Sequence, residues 1–205
     1  MWCCAALVVA LLVPCGERTT HAHLATWGSW DITKRNLDRL FPESTKYLRK
    51  KYVYSSKEIE NIEAFLGFAL YPEDKTPEFY IAVKEESGRQ KLLGVAIFID
   101  PRSQPKIVGG EVVRLEVGVG VDTRGRIENV MLYDYTGNQA LTAPDFLGQF
   151  RGRSLEQEFT LDVASGKESA KFPTLRAVRG DEEDCQLIAN AAREALYLMK
   201  VALGQ

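Results

Sequence analysis

Leu115-Glu116-Val117-Gly118-Val119-Gly120-Val121-Asp122-Thr123-Arg124-Gly125-Arg126-Ile127-Glu128-Asn129-Val130-Met131-Leu132-Tyr133 decides the fold. Val113, Leu115, Val117, Val119 and Val121 alternate with polar residues or glycine, the period of a half-buried strand running from Glu111 to Val121. Asp122-Thr123-Arg124-Gly125 is a tight turn. The chain then returns over Arg126 to Tyr135, with Ile127, Met131 and Tyr133 expected on one side and Val130 and Leu132 on the other. Gly118 and Gly120 lie opposite the valines. A missing side chain there lets a backbone or a flat ligand approach closely, and a bend in the sheet accounts for it equally well.

Upstream, Glu78 to Lys84 and Leu92 to Asp100 are rich in Val, Ile, Phe and Tyr around the turn Ser87-Gly88-Arg89, so they read as an antiparallel hairpin. Three helical pieces precede it: Trp27 to Leu40 with Asp31 as N-cap, Glu43 to Lys50, and Ser55 to Gly67. The last is the clearest. Ser55 or Ser56 caps it, Ile59, Ile62, Phe65 and Leu66 share one face, and Gly67 stops it. The Arg49-Lys50-Lys51 cluster reads as a solvated helix end.

Downstream, Ala143 to Phe150 is a short helical segment ending in Arg151-Gly152-Arg153, and Ser154 to Arg179 has no clear period. Glu182 to Leu203 is an amphipathic helix that should cover a sheet face. The expected class is α+β: a twisted, mainly antiparallel sheet flanked by helices, with the C-terminal helix over the sheet.

Composition bounds the function. The chain has 205 residues, 45% apolar and 26% charged, which suits one domain with a sizeable core, assigned to residues 27–205. Its formal net charge of -2 is made of scattered charges of both signs. That gives no basic field for nucleic acid. Residues 1–22 hold an apolar run from Trp2 to Cys15, shorter than the roughly 20 residues of a spanning helix. The run reads as an export signal with cleavage after Ala22, or as a retained or lipid-anchored N-terminus that associates the protein with a membrane. The expected location is periplasmic, or the outer face of a membrane.

The only histidines are His21 and His23, at the leader boundary, where a linker is the ordinary explanation. A Ser-His-Asp or Cys-His catalytic system, a His-rich zinc site and a histidine-ligated haem are thereby excluded from the domain. Cys3, Cys4 and Cys15 belong to the leader. Cys185 follows Asp181-Glu182-Glu183-Asp184, which disfavours a thiolate and makes it a small buried residue rather than a redox thiol. The acidic run reads as solvent-facing carboxylates at a helix N-terminus, and capping alone accounts for it. A carboxylate-based enzyme centred on that run is the remaining catalytic reading.

Several motifs occur in a telling order. Phe41-Pro42-Glu43, the Lys57 to Gly67 helix, Phe79-Tyr80, Gly94, Val119-Gly120-Val121-Asp122, Gly125-Arg126-Ile127, Val130 and Phe146-Leu147-Gly148-Gln149-Phe150-Arg151-Gly152-Arg153-Ser154 follow one another over residues 38–203. In that order and spacing the chain resembles the FMN-binding domain of bacterial flavin electron-transfer proteins. That module occurs in covalent-flavin subunits of sodium-pumping quinone reductases and Rnf-type complexes, and in small exported relatives. The resemblance implies FMN as cofactor and envelope electron-transfer proteins as partners.

The family's anchoring motif is Ser-Gly-Ala-Thr at a helix start, where the threonine carries FMN as a phosphoester. Val178-Arg179-Gly180-Asp181-Glu182-Glu183-Asp184-Cys185 stands in its place, with Arg179 at the serine position and Glu182 at the threonine position. A carboxylate cannot form that stable ester, so covalent attachment should be absent. Four acids also oppose phosphate at a helix end that would otherwise favour it, and Arg179 offsets part of this. Tyr135-Thr136-Gly137-Asn138-Gln139-Ala140-Leu141 replaces the family's Glu-Thr-Pro-Gly-Leu-Gly turn. The expected cofactor-binding residues are therefore Thr136, Gly137, Leu141, Arg179 and Gly180. The resemblance implies a non-covalent flavoprotein, or alternatively a cofactor-less member acting as a binding or assembly partner.

Overall fold

The computed structural model describes residues 29–101, 106–108, 110–133, 135–162 and 174–204. The leader, its three cysteines, His21 and His23 lie outside the described residues.

In chain order the elements are α1 (Trp30–Leu40), β1 (Lys46–Lys51), α2 (Ser56–Leu66), β2 (Glu78–Glu86), β3 (Arg89–Ile99), β4 (Lys106–Val108), β5 (Glu111–Val113), β6 (Val117–Asp122), β7 (Ile127–Leu132), α3 (Pro144–Leu147), β8 (Leu161–Asp162), β9 (Leu175–Arg176) and α4 (Glu182–Leu203). Five strands form one antiparallel sheet in the order β1-β2-β3-β6-β7. The β4–β5 hairpin is inserted between β3 and β6. The α+β class with a C-terminal helix over the sheet is observed.

Each face of the sheet has its own core. On one side, Leu37, Leu40 and Phe41 at the end of α1 pack with Tyr47, Tyr80, Phe98, Met131 and Tyr133. On the other, α4 lays Ile188, Ala192, Ala195 and Met199 with Ile97, Val119, Val121 and Leu132. Full burial of one such aliphatic side chain contributes about 1.5–3 kcal/mol. α2 leans on α4 through Phe65 and Tyr197, whose rings stack with centroids 3.7 Å apart, while the Arg193 guanidinium sits 4.4 Å from the Phe65 ring centre. Tyr54 donates its hydroxyl proton to the Leu198 carbonyl at 2.7 Å, tying the approach to α2 onto α4.

Local chemistry sets the boundaries. Ser55 and Glu58 form a reciprocal capping box, and Gly67 closes α2 in the left-handed region at φ 81°. Ser87 and Gly88 both have positive φ, as a two-residue hairpin turn requires. Around Asp122, burial opposes ionisation. The Arg126 and Arg124 amides and the Arg124 guanidinium overcome it and hold the carboxyl below its ordinary value.

Four expectations are corrected. Ser29, not Asp31, caps α1: its side chain accepts from the Ile32 amide, and Asp31 occupies the first turn. The helix expected over Glu43 to Lys50 is strand β1, so Arg49-Lys50-Lys51 lies on a sheet edge rather than a helix end. The strand expected from Glu111 to Val121 is two strands, because Glu111–Val113 pairs back onto β4. Finally, Ile127 shares the α4 face with Val130 and Leu132. A register shift opposite Gly120 and Val121 breaks the alternation, leaving Met131 and Tyr133 on the α1 face.

The glycines of the central strands meet the chain's own side chains. A Cβ on Gly120 would lie 3.0 Å from the Phe41 ring and 3.2 Å from Leu40, and one on Gly118 would lie 2.7 Å from the Met131 sulfur. At Gly94 it would meet the Val121 carbonyl as well as Phe41. The close approach expected at Gly120 is therefore made by Leu40 and Phe41 at the end of α1, and that at Gly118 by Met131 and Phe98 of the neighbouring strands.

Candidate functional site

Two loops converge at the N-terminal end of α4. One follows β7, where Asn138 accepts from the Ala140 amide at 3.0 Å and so caps a short 3-10 turn over Gln139–Thr142. The other is the turn before α4, where Gly180 takes φ 88°. The Asn138 side chain donates to the Asp181 carboxylate and joins them.

The expected cofactor residues divide into two sets. Thr136, Arg179 and Gly180 are exposed, and Gly137 is half-buried beneath the Tyr135 ring, whose hydroxyl occupies the place of a Cβ. Leu141 is fully buried in the core beside α4 and presents nothing to a ligand. Thus the loops are brought together, while Leu141 is taken from the surface by packing.

The carboxylates at this helix end have partners within the chain. Glu182 accepts from the Gly180 amide at 3.0 Å; that bond, its own amide and the charge of Arg179 lower its pKa. Asp184 is 5% exposed, contrary to the solvent-facing position expected for the acidic run. Both its oxygens lie 2.7 Å from the Lys106 ammonium, which arrives from the β4–β5 hairpin. That pairing raises the lysine pKa. Tyr135 is pushed upward by burial and then by the negative charge of Asp184.

Cys185 is fully buried, its sulfur accepting from the Val178 amide at 3.2 Å, and burial raises its pKa. It packs as the expected small apolar residue. Among the described residues no group of three or more His, Cys, Asp or Glu side chains could hold a metal ion, and no helix is long and apolar enough to cross a membrane.

Several clefts lie elsewhere. The most voluminous of these, of about 610 Å³, is an open one between Phe65, Phe159, Gln186 and Arg193. One of about 420 Å³ runs beneath the C-terminal end of α4, between Val95, Val121 and Met199. Another, of about 300 Å³, is lined by Arg35, Asn36, Arg39 and Tyr135. Sequence reading missed Asn138, Lys106 and the α4 cleft. Asn138 carries the one local signal, a Gly-Asn pair in a turn; the others depend on tertiary pairing.

No protein-family model matches the chain, and no curated protein matches it.

Proposed function

We propose that this is an exported protein on a flavin-carrier-like scaffold that works as a binding or assembly partner in an envelope electron-transfer system, without a flavin at the family-equivalent position. The observation that carries this reading is the occupied end of α4. Glu182, at the position of the family's esterified threonine, turns its carboxylate onto the Gly180 amide. Asp181 is engaged by Asn138 and Asp184 by Lys106.

Charge argues the same way. Asp181, Glu182, Glu183 and Asp184 stand against Arg179 and Lys106. An FMN phosphate would add further negative charge beside them. At about 4 Å, each like-charge contact costs roughly 1–4 kcal/mol in water or near a protein surface. The attraction of a helix N-terminus for phosphate does not offset several of these. FMN phosphate therefore does not fit these residues, and no redox step is assigned to them.

One observation favours the second reading, non-covalent FMN. Thr136, Arg179 and Gly180 remain exposed on two loops that Asn138 and Asp181 hold together. An absorbance spectrum of natively purified protein, followed by FMN titration, separates the two. Colourless protein that takes up no FMN supports the first, and stoichiometric yellow cofactor overturns it. Cross-linking in envelope extracts, read by mass spectrometry, should then enrich electron-transfer proteins.

A further inference from the structure

Across the α4 face of the sheet, cross-strand partners form one aliphatic row. Leu48 is opposite Ile81, Ile81 opposite Val95, and Val95 opposite Val121. The last turn of α4 covers only part of this row. Leu48 is 42% exposed and Ile81 and Val95 are half-buried, whereas Val121 is buried.

Two clefts flank the helix end and meet at Val95, Met199 and Leu203. The larger, of about 420 Å³, extends toward Val121 and Leu155. The smaller, of about 80 Å³, extends toward Ile81 and Lys50. Together they make a groove across the strands, with the aliphatic row as its floor, Tyr52 and Phe79 beside it in the smaller cleft, and a half-exposed Leu203 as its roof. The volume falls in the range of small-molecule sites.

The rim is cationic. Lys50, Arg124, Arg126 and Lys200 line it, against Asp122 and Glu156. Asp122 is already engaged by Arg124 at 2.9 Å. Among the described residues Lys50, Arg126 and Lys200 have no carboxylate partner within 4.0 Å, while the Arg126 guanidinium donates to the Gly152 carbonyl at 3.4 Å. From Leu48 to Val121 the row crosses three interstrand spacings of about 4.8 Å, roughly 14 Å in all. That is about the extended length of a twelve-carbon chain.

We propose that this groove, with its exposed continuation at Leu48, binds a free aliphatic carboxylate of about ten to twelve carbons, its chain along Val121, Val95, Ile81 and Leu48 and its carboxylate at Arg126 and Lys200. Arg126 and Lys200, without carboxylate partners at the mouth, select an anionic head over a neutral or cationic one. The site lies at the opposite end of α4 from Glu182 and is independent of the flavin question.

The test is calorimetric titration of the full chain with dodecanoate below its micelle-forming concentration, beside dodecyltrimethylammonium and phosphatidylglycerol vesicles. Saturable one-to-one binding of dodecanoate is expected, at least tenfold tighter than of the cationic analogue. Arg126→Glu with Lys200→Glu should weaken it at least tenfold, and Leu203→Glu should abolish it. All three positions are exposed, so melting temperatures should hold and show that the variants are folded. No saturable dodecanoate binding, equal binding of both amphiphiles, or binding to vesicles alone would overturn the proposal.

Discussion

The Lys106 ammonium sits 2.7 Å from both carboxylate oxygens of Asp184, fastening the β4–β5 hairpin to the first turn of α4. Asp184 is nearly inaccessible, whereas the lysine side chain is 53% exposed. Removing a buried acid's partner costs about 3–5 kcal/mol when both groups are buried, and the exposed lysine discounts this. Lys106→Met should therefore lose about 1–2 kcal/mol in urea denaturation near neutral pH. Pairing raises the lysine pKa above its ordinary 10.5. The contribution is thus complete below that pH and is lost as pH rises through the raised value. The gap between wild type and variant should narrow above about pH 10.5.

Packing against bare backbone makes the central glycines unequal. Gly94→Ala drives a methyl into the Val121 carbonyl, which cannot rotate away, and into Phe41. It should cost about 3 kcal/mol or more, the upper end for overpacking. Gly120→Ala presses only on the Phe41 and Leu40 side chains and should cost about 1–2 kcal/mol. At Gly148 the backbone is already right-handed helical and nothing lies within 4 Å. Alanine there should be neutral or stabilising by about 0.5 kcal/mol. Thermal denaturation of the three variants gives the order.

Helix and hairpin signals that are local were legible. Ser55 with Glu58, Gly67, Ser87-Gly88 and the 3.6-residue spacing of Leu187 to Met199 each declare their element without distant partners. β1 was not legible, because Tyr47 is its one buried residue and an edge strand with exposed neighbours shows no alternation. Ile127 was misplaced because a register shift is invisible in a period-two count. At the candidate site, the residues of both loops were named from the resemblance alone, and their meeting through Asn138 and Asp181 carries no signal in the sequence. The burial of Leu141 and the Lys106 pairing depend on tertiary packing and a distant hairpin, which no spacing encodes.

Cys185 is fully buried and its pKa is raised, first by burial and also by the neighbouring acids. In a chain with Cys3, Cys4 and Cys15 replaced by serine, iodoacetamide at about pH 8 should modify it only as fast as the protein unfolds. Labelling followed by mass spectrometry across a urea series should track the unfolding transition. Rapid labelling without denaturant would place the thiol at the surface.

Neutralising the acidic helix end should relieve phosphate exclusion. Asp181→Asn with Glu182→Gln and Glu183→Gln removes three charges, each worth about 0.3–1 kcal/mol at a helix N-terminus. The variant should show FMN binding in a titration range where wild type shows none, and should lose about 1–2 kcal/mol of stability, since those carboxylates favour the helix. Flavin fluorescence quenching and thermal melts read the two effects.

Glu182 on the Gly180 amide is the contact on which the functional reading turns. The most direct measurement is an absorbance spectrum of the natively purified full chain, taken with its intact mass before and after incubation with excess FMN. The account predicts no flavin bands, the mass of the polypeptide alone, and no uptake after gel filtration. One equivalent of bound FMN, or an added flavin mass on the segment from Val178 to Cys185, would contradict it.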